Sequence, residues 1–396
     1  MYLQEFKQNV RNIVNQYSQH IRLETKRRKI IHFLEMLCYK PKTKLVMKNV
    51  VKQSVGIDVA QKELVVTLGR MYDDFSIDFY AYSVFKNSDP GIKAMVKWVK
   101  RLGNSEVSIR FVMEATGVYH QKLAYYLDEN DYEVSIVLPN KISNYFRTLD
   151  VKTITDKTAS EAIARFGLER KLDLWKRPSE LFRTLQQLTR ERDQIVAERV
   201  VIKNQLHAEE SEANPNKSSI KRLKARIRFI NQQEKEVKIE IDEIVNMNKT
   251  LKEEIDRITT IRGVGQLTAV IVLAETNGFE LIRNKKQLTS YAGLDVREKT
   301  SGTSVKGKAR ISKKGNRNIR RAMHLPALCA IKHDEKFKGI YTRLVSKDGI
   351  KMKGVVAVQR KILELIYTLY KNKTVYEPDY EKNKREQPQQ VAPFTN

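Results

Sequence analysis

Residues 54–70 read SVGIDVAQKELVVTLGR, two runs rich in β-branched and aliphatic residues with a short polar break between them. Such runs predict two strands close enough in sequence to pair as a meander. Inside the first run stands an acid, Asp58. Following a glycine-isoleucine pair, it is open to an ordinary reading as a turn acid. An unpaired carboxylate within a buried strand is costly, however, and a cation beside it would remove that cost.

The pattern continues on both sides of this reading. FSIDFYAYSVF (75–85) predicts a third strand, and GIKAMVKWVKRLG (91–103) has helical spacing, with Ile92, Met95, Val96 and Val99 on one face. VSIRFVMEATG (107–117) predicts a strand ending in Glu114, and GVYHQKLAYYLDEN (117–130) a helix opened by Gly117. YEVSIVLP (132–139) predicts a short strand closed by Pro139. Three strands followed by helix, strand, helix, strand and helix make an α/β layout with its sheet buried under helices.

KTITDKTASEAIARFG (152–167) then opens a further helix with Asp156 at its start. Asp156 alone reads as a helix N-cap with Thr155 beside it. Taken with Asp58 and Glu114 it has another use, because open α/β sheets bind ligands at the carboxyl ends of their strands. Carboxylates there hold Mg²⁺, a hard cation that prefers oxygen ligands. Two such ions about 3.5–4 Å apart serve phosphodiester chemistry. His120 follows Glu114's strand and either lines the same cleft or packs or caps there; no histidines have the spacing of a metal site.

Residues 178–260 differ in kind. Positions 220, 223, 227, 230, 237, 241, 244, 251, 255 and 258 are all Ile, Leu or Val at alternating three and four spacing, with Glu234 and Asn248 at polar seam positions. Leu181, Leu185, Leu188, Ile195, Ile202 and Leu206 repeat the pattern more loosely, and SEANPNKSS (211–219) separates the two halves. A coiled-coil helical hairpin is the simplest reading. In ITTIRGVGQLTAVIVLAE (258–275) a Gly-x-Gly turn joins two apolar helical segments. It resembles a helix-hairpin-helix, although a plain helix–turn–helix joint fits as well.

TSGTSVKGKARISKKGNRNIRRA (300–322) lies in a compact, basic C-terminal region. From Arg297 to Arg321 ten Lys or Arg residues face one acid, Glu298. A Ser/Gly loop, a basic strand and a helix from about Asn316 are expected, with glycines allowing close approach to a phosphate. By default Ser301 and Ser304 are ordinary loop serines.

Composition agrees. The chain has 396 residues, with 74 Lys and Arg against 47 Asp and Glu, a formal charge of +27. A surplus of that size points to a polyanionic partner. Cys38 and Cys329 are the only cysteines, too few for a disulfide framework or a cysteine zinc site, which fits a reducing cytoplasm. No apolar run reaches the length that spans a bilayer, and a soluble protein with no membrane partner is expected. The domains expected are an extension at 1–50, with the fold starting near Met47; an α/β domain at 51–177; a helical hairpin at 178–258; a basic, mostly helical domain at 259–372; and a flexible tail at 373–396.

In order, GIDVA, EATGVYH, LPNKI, TDKTASEAIARFG, IRGVGQLTA, LTSYAGLD and SGTSVKGKARISKKGNRNIRRA resemble the DEDD-type transposases of insertion sequences, the recombinases guided by a bridge RNA. The resemblance implies a RuvC-like (ribonuclease H-like) domain, a coiled-coil spacer and a C-terminal transposase domain. It also implies acids that bind Mg²⁺, two ions as a pair, and a serine nucleophile that forms a transient phosphoserine link to DNA. The partners implied are donor and target double-stranded DNA, a structured guide RNA and further copies of the chain in a dimer of dimers, acting at the bacterial nucleoid. By motif, Asp58, Glu114 and Asp156 match the first three acids and Ser301 the nucleophile. Lys306, Lys308, Arg310, Lys313, Lys314 and Arg317 would then meet nucleic-acid phosphates.

One position departs. The family places its fourth acid three residues after the third, where this chain has Ala159. Glu161 is the nearest replacement, roughly 140° further round an ideal helix. Ser160 holding a metal-bound water, or three acids completed by solvent, are the other solutions. Two alternative functions stand beside the leading one: a RuvC-like nuclease that hydrolyses branched DNA, and a catalytically inactive nucleic-acid-binding relative.

Overall fold

The computed structural model describes residues 48–115, 117–151, 153–298, 300–301, 305–307 and 310–378, with 8, 9, 12 and 16 from the first stretch. The chain divides between Arg177 and Pro178 into two units.

In the first unit, β1 (Val50–Val59), β2 (Glu63–Tyr72) and β3 (Ile77–Lys86) form an antiparallel meander. Then follow α1 (Asp89–Leu102), β4 (Ile109–Glu114), α2 (Gln121–Glu129), β5 (Glu133–Val137), α3 (Pro139–Phe146) and α4 (Asp156–Glu169). The sheet order is β3-β2-β1-β4-β5, with β4 parallel to β1 and β5 parallel to β4. This mixed sheet under helices fits a ribonuclease H-like α/β domain. The helix expected from Gly117 starts later, at Gln121; Gly117 sits in a turn at φ +52°.

Strand alternation sorts the side chains. Val55, Ile57 and Val59 of β1, with Phe111 and Met113 of β4, face one way and pack with Ile92, Met95, Val99, Leu123 and Leu127 of α1 and α2. Successive side chains in a strand point to opposite faces, so Ser54, Gly56, Asp58, Val112 and Glu114 face the other way. There Val112 joins Ile142 and Tyr145 of α3 and Ile163 and Phe166 of α4.

The second unit opens with α5 (Glu180–Glu210) and α6 (Lys217–Met247). Ion pairs and hydrogen bonds joining Lys224 to Glu210, Arg199 to Asn231 and Arg192 to Glu234 run in opposite chain directions, so the two helices form an antiparallel hairpin. Glu234, one of the polar seam residues, is buried and gathers Arg192, Arg199 and Lys238. Asn248, the other, ends α6. Its side chain accepts from Leu251 N–H and caps a new helix, α7 (Lys249–Thr259), so the expected continuous second helix is broken there.

Helices α8 (Gln266–Glu275) and α9 (Lys285–Tyr291) come next. Among the described residues after them are the short strands β6 (Val296–Arg297), β7 (Thr300–Ser301), β8 (Val305–Lys306) and β9 (Arg310–Ile311). Helices α10 (Arg317–Ala322), α11 (His324–His333), α12 (Glu335–Asp348) and α13 (Lys351–Asn372) complete the unit. Gly263, at φ +89°, turns the chain between α7 and α8, where a methyl group would lie 2.8 Å from Cys329 Cβ and Pro326 O, so glycine suits the joint.

One apolar cluster runs from Leu185 and Ile202 through Ile241, Ile258 and Val270 to Ile319, Ile362 and Leu369. The hairpin and the basic region, expected as domains meeting at 258/259, therefore share one core. Beyond α13, Tyr376 donates its hydroxyl to Asp334 and stacks near Phe337, so the first residues of the expected tail are anchored. Lys48 and Asn49, bonded to Asp74 and Asp73, likewise belong to the sheet unit. Residues 379–396 of the expected tail, the expected extension apart from 8, 9, 12, 16 and 48–50, and Lys308 and Ser304 lie outside the described residues. Among the described residues no helix is long and apolar enough to cross a membrane.

Candidate active site

The first unit brings three acids to one end of its sheet, and alternation explains how. Ile57 and Met113 are the last partners in the parallel β1–β4 ladder. Asp58 and Glu114 stand one step further along neighbouring strands, about 5 Å apart at the backbone, and both face α4.

Helix α4 supplies the third acid by lying against that face at very short range. A methyl group on Gly56 would fall 2.2 Å from Ala164 N and Ser160 O, and one on Gly167 would fall 2.3 Å from Ser54 Oγ. Because Ser54 meets Gly167 while Gly56 meets Ser160 and Ala164, the helix runs antiparallel to β1. Ser160 Oγ is also 2.7 Å from Thr67 Oγ1 of β2. Asp156 lies one turn before Ser160 on the same stripe, which carries it toward Asp58. Its carboxylate is not spent on capping. Thr155 is the N-cap, bonding reciprocally with Thr158, and Asp156 is the first helical residue. That replaces the simpler reading of Asp156 as the cap.

The electrostatics record the convergence. Asp58 is half-buried, and its pKa is raised first by desolvation and then by the charge of Asp156; a hydrogen bond from Val59 N–H works against the shift. Glu114 is also raised, first by desolvation and then by Asp58. Among the described residues none of the three carboxylates forms an ion pair. Hard oxygen donors whose charges destabilise one another suit a divalent cation that keeps part of its water shell. As they stand, no group of three or more His, Cys, Asp or Glu side chains among the described residues is close enough together to hold a metal ion. Glu161 is 3.9 Å from Lys157 on the same helix, and Lys157 also lies 5.4 Å over the Tyr82 ring. Ala159 is half-buried in the first turn of α4.

The stripe of Ser160, Ala164 and Gly167 was not singled out from the sequence. Its signal is there: small residues at helical spacing after an acid, with a glycine two residues before an acid in a strand. Lone small residues occur in most helices, so the signal gains meaning only once β1 and α4 are known to touch.

In the second unit Ser301 lies in β7, paired with Val305 of β8, while Thr300 pairs with Lys306. Arg310, Lys313, Lys314 and Arg317 are exposed and form no ion pair with any described residue. Asn316 caps α10, accepting from Asn318 N–H and Ile319 N–H, so the helix begins where expected.

Two family models match the chain in succession. Residues 55–210 match the transposase model of the IS110-type DEDD enzymes, and residues 255–342 match the transposase IS116/IS110/IS902 family. The chain belongs to the IS110-type transposases. As such it is an enzyme acting on DNA, a transposase or recombinase. Pilin gene-inverting proteins of Moraxella bovis and Moraxella lacunata are each 25% identical to this transposase over 328 residues, covering 80% of it and 95% of theirs. An uncharacterized 43.6 kDa protein of insertion element IS110 from Streptomyces coelicolor is 28% identical over 120 residues, 30% of this chain and 29% of that one. The structure of T. thermophilus RuvC in complex with Holliday junction substrate aligns at 12% identity and TM-score 0.24, covering 31% of this chain and 99% of RuvC.

Proposed function

We propose that this transposase cuts and rejoins DNA strands with Mg²⁺ held by Asp58, Glu114 and Asp156, and with Ser301 as nucleophile. The observation that supports the metal reading is the approach of three carboxylates: burial and the Asp156 charge raise the pKa of Asp58, burial and the Asp58 charge raise that of Glu114, and none of the three is paired to a cationic side chain among the described residues. When bound, the Mg²⁺ ions would polarise a phosphodiester and lower the pKa of a coordinated oxygen nucleophile. A fourth oxygen ligand would come from Glu161 on leaving Lys157, or from water beside Ala159 and Ser160.

The chain's own residues would divide the remaining work. Ser301 Oγ forms a P–O bond as the bond from phosphorus to one deoxyribose oxygen breaks, and the serine proton passes to the leaving oxygen. One phosphodiester replaces another, so reversal on a second strand needs no high-energy cofactor. Lys306, Lys308, Arg310, Lys313, Lys314 and Arg317 hold the phosphates on either side of the reacting one. The net charge of +27 suits a chain that binds donor DNA, target DNA and a bridge RNA as a dimer of dimers in the cytoplasm. The RNA would choose the DNA sites by base pairing.

Ser301→Ala tests the nucleophile. Strand exchange and the covalent protein–DNA adduct are both expected to disappear in Mg²⁺, while DNA binding stays within about threefold of wild type, since a hydroxyl adds little to a phosphate-dominated affinity. Strand exchange at the wild-type level would remove the serine mechanism.

A further inference from the structure

We propose that Glu275 is a positioning residue for strand transfer: from beneath the feet of the arm that carries Ser301, its carboxylate fixes where that arm stands. The inference rests on the reading of Ser301 as nucleophile. Glu275 is the last residue of α8 and is 1% exposed. Arg190 of α5 donates to it through Nε and Nη2, both at 2.8 Å. Asn316 Nδ2 donates at 2.7 Å, Asn318 Nδ2 at 2.6 Å and Gln186 Nε2 at 3.3 Å. The backbone carbonyl of Glu275 accepts from the Tyr291 hydroxyl at 2.9 Å.

These donors come from opposite sides of the arm. The chain leaves the core at 291–295 and returns at 312–316, and the two feet are tied together. Asn316 N–H donates to Tyr291 O, Lys313 N–H to Gly293 O and Ser312 N–H to Asp295 O. Arg320 Nη1 donates to Ala292 O at 2.7 Å. Gly315, at φ +150°, passes so close that a methyl group on it would lie 2.4 Å from Tyr291 O. Among the described residues between the feet, the arm has two short ladders, Val296–Arg297 with Arg310–Ile311 and Thr300–Ser301 with Val305–Lys306. Two-residue ladders are too weak to set a direction by themselves. The direction is inherited from the root.

A carboxylate suits the root because its two oxygens offer about four acceptor sites, enough to gather α5 and α10 at one point. Burial alone would push the Glu275 pKa up, but Arg190, Asn316 and Asn318 outweigh it and hold the group below the usual carboxylate range. A merely structural contact could be met by apolar packing, often without loss of stability. A hydrogen-bonded charge adds fixed geometry, which a nucleophile needs.

The test uses the full chain and two variants. Glu275→Gln removes the charge; Asn318→Ala removes one tie to α10 and leaves the Arg190–Glu275 pair, so it stays folded if the first does not. In each folded variant, backbone hydrogen exchange at Val296, Arg297, Arg310 and Ile311 is expected to quicken by about tenfold or more, with the hairpin core at Ile202, Ile230 and Val237 unchanged. The kcat for strand transfer on a preformed RNA–DNA substrate is expected to fall on the order of 10²-fold with KM within about threefold, the signature of a displaced reacting group. A variant that melts lower yet keeps wild-type exchange at those four residues and wild-type kcat overturns the proposal. Ser301→Ala separates the two readings. If it transfers strands normally, the serine reading fails, and the exchange pattern alone still decides whether Glu275 orders the arm.

Discussion

Asp58→Asn will abolish Mg²⁺-dependent DNA cleavage while leaving the first unit folded. The side chain occupies the centre of the carboxylate group: its charge raises the pKa of Glu114, and Asp156 raises its own. An amide of the same shape removes one of the proposed anionic ligands and keeps the packing of β1. Loss of a single preorganised transition-state interaction typically costs 10²–10³-fold in rate. Loss of a ligand on which the metal depends is expected to reach or exceed about 10³-fold, measured as single-turnover cleavage in Mg²⁺.

Stability should move the other way. Asp58 and Glu114 bind protons more tightly in the folded chain than in the unfolded one. Their contribution to stability therefore falls as pH rises from the ordinary carboxylate range through the raised folded pKa values, and above them the repulsion is fully present. In the metal-free chain the melting temperature is expected to fall across that window, and Asp58→Asn to blunt the fall. A variant that cleaves normally, or one that melts well below wild type at neutral pH, contradicts this account.

Gly56→Ala is the second large effect, and it acts through geometry alone. The added methyl group meets Ala164 N and Ser160 O at 2.2 Å. Those are backbone atoms, so no side-chain rotation relieves the clash. Either α4 lifts from the sheet or β1 bends. Overpacking costs typically 1–3 kcal/mol, and a collision between two main chains belongs at or above the upper end, about 3 kcal/mol. For a unit of this size that lowers the melting temperature by about 10 °C. Lifting α4 also draws Asp156 from Asp58, so cleavage in the surviving folded protein is expected to fall with it. A thermal melt and a cleavage assay check both halves. Retention of wild-type melting would mean that α4 does not lie against Gly56 as described.

Much of the first unit was legible because its signals are local. Ile92, Met95, Val96 and Val99 fall at helical spacing and are the buried face of α1; the meander was written in β-branched runs. The shared face of Asp58 and Glu114 follows from strand alternation once both strands are placed. What resisted was everything set by distant contact. The acid ending TAVIVLAE reads as an exposed helix terminus, yet Glu275 is buried by Arg190, Asn316 and Asn318, which are 85, 41 and 43 residues away. Asn248 fitted a heptad seam as readily as the cap it is, because both readings use the same spacing. Likewise the hairpin and the basic region showed different patterns, and pattern alone does not reveal that Leu185 and Leu369 belong to one core.

The central claim is that Asp58, Glu114 and Asp156 form one divalent-metal centre. Crystals of the wild-type chain grown with Mn²⁺, a scattering substitute for Mg²⁺, test it most directly through anomalous difference density. Density bounded by the carboxylates of Asp58, Glu114 and Asp156 is expected, absent in Asp58→Asn. Density elsewhere, or unchanged in the variant, would contradict it.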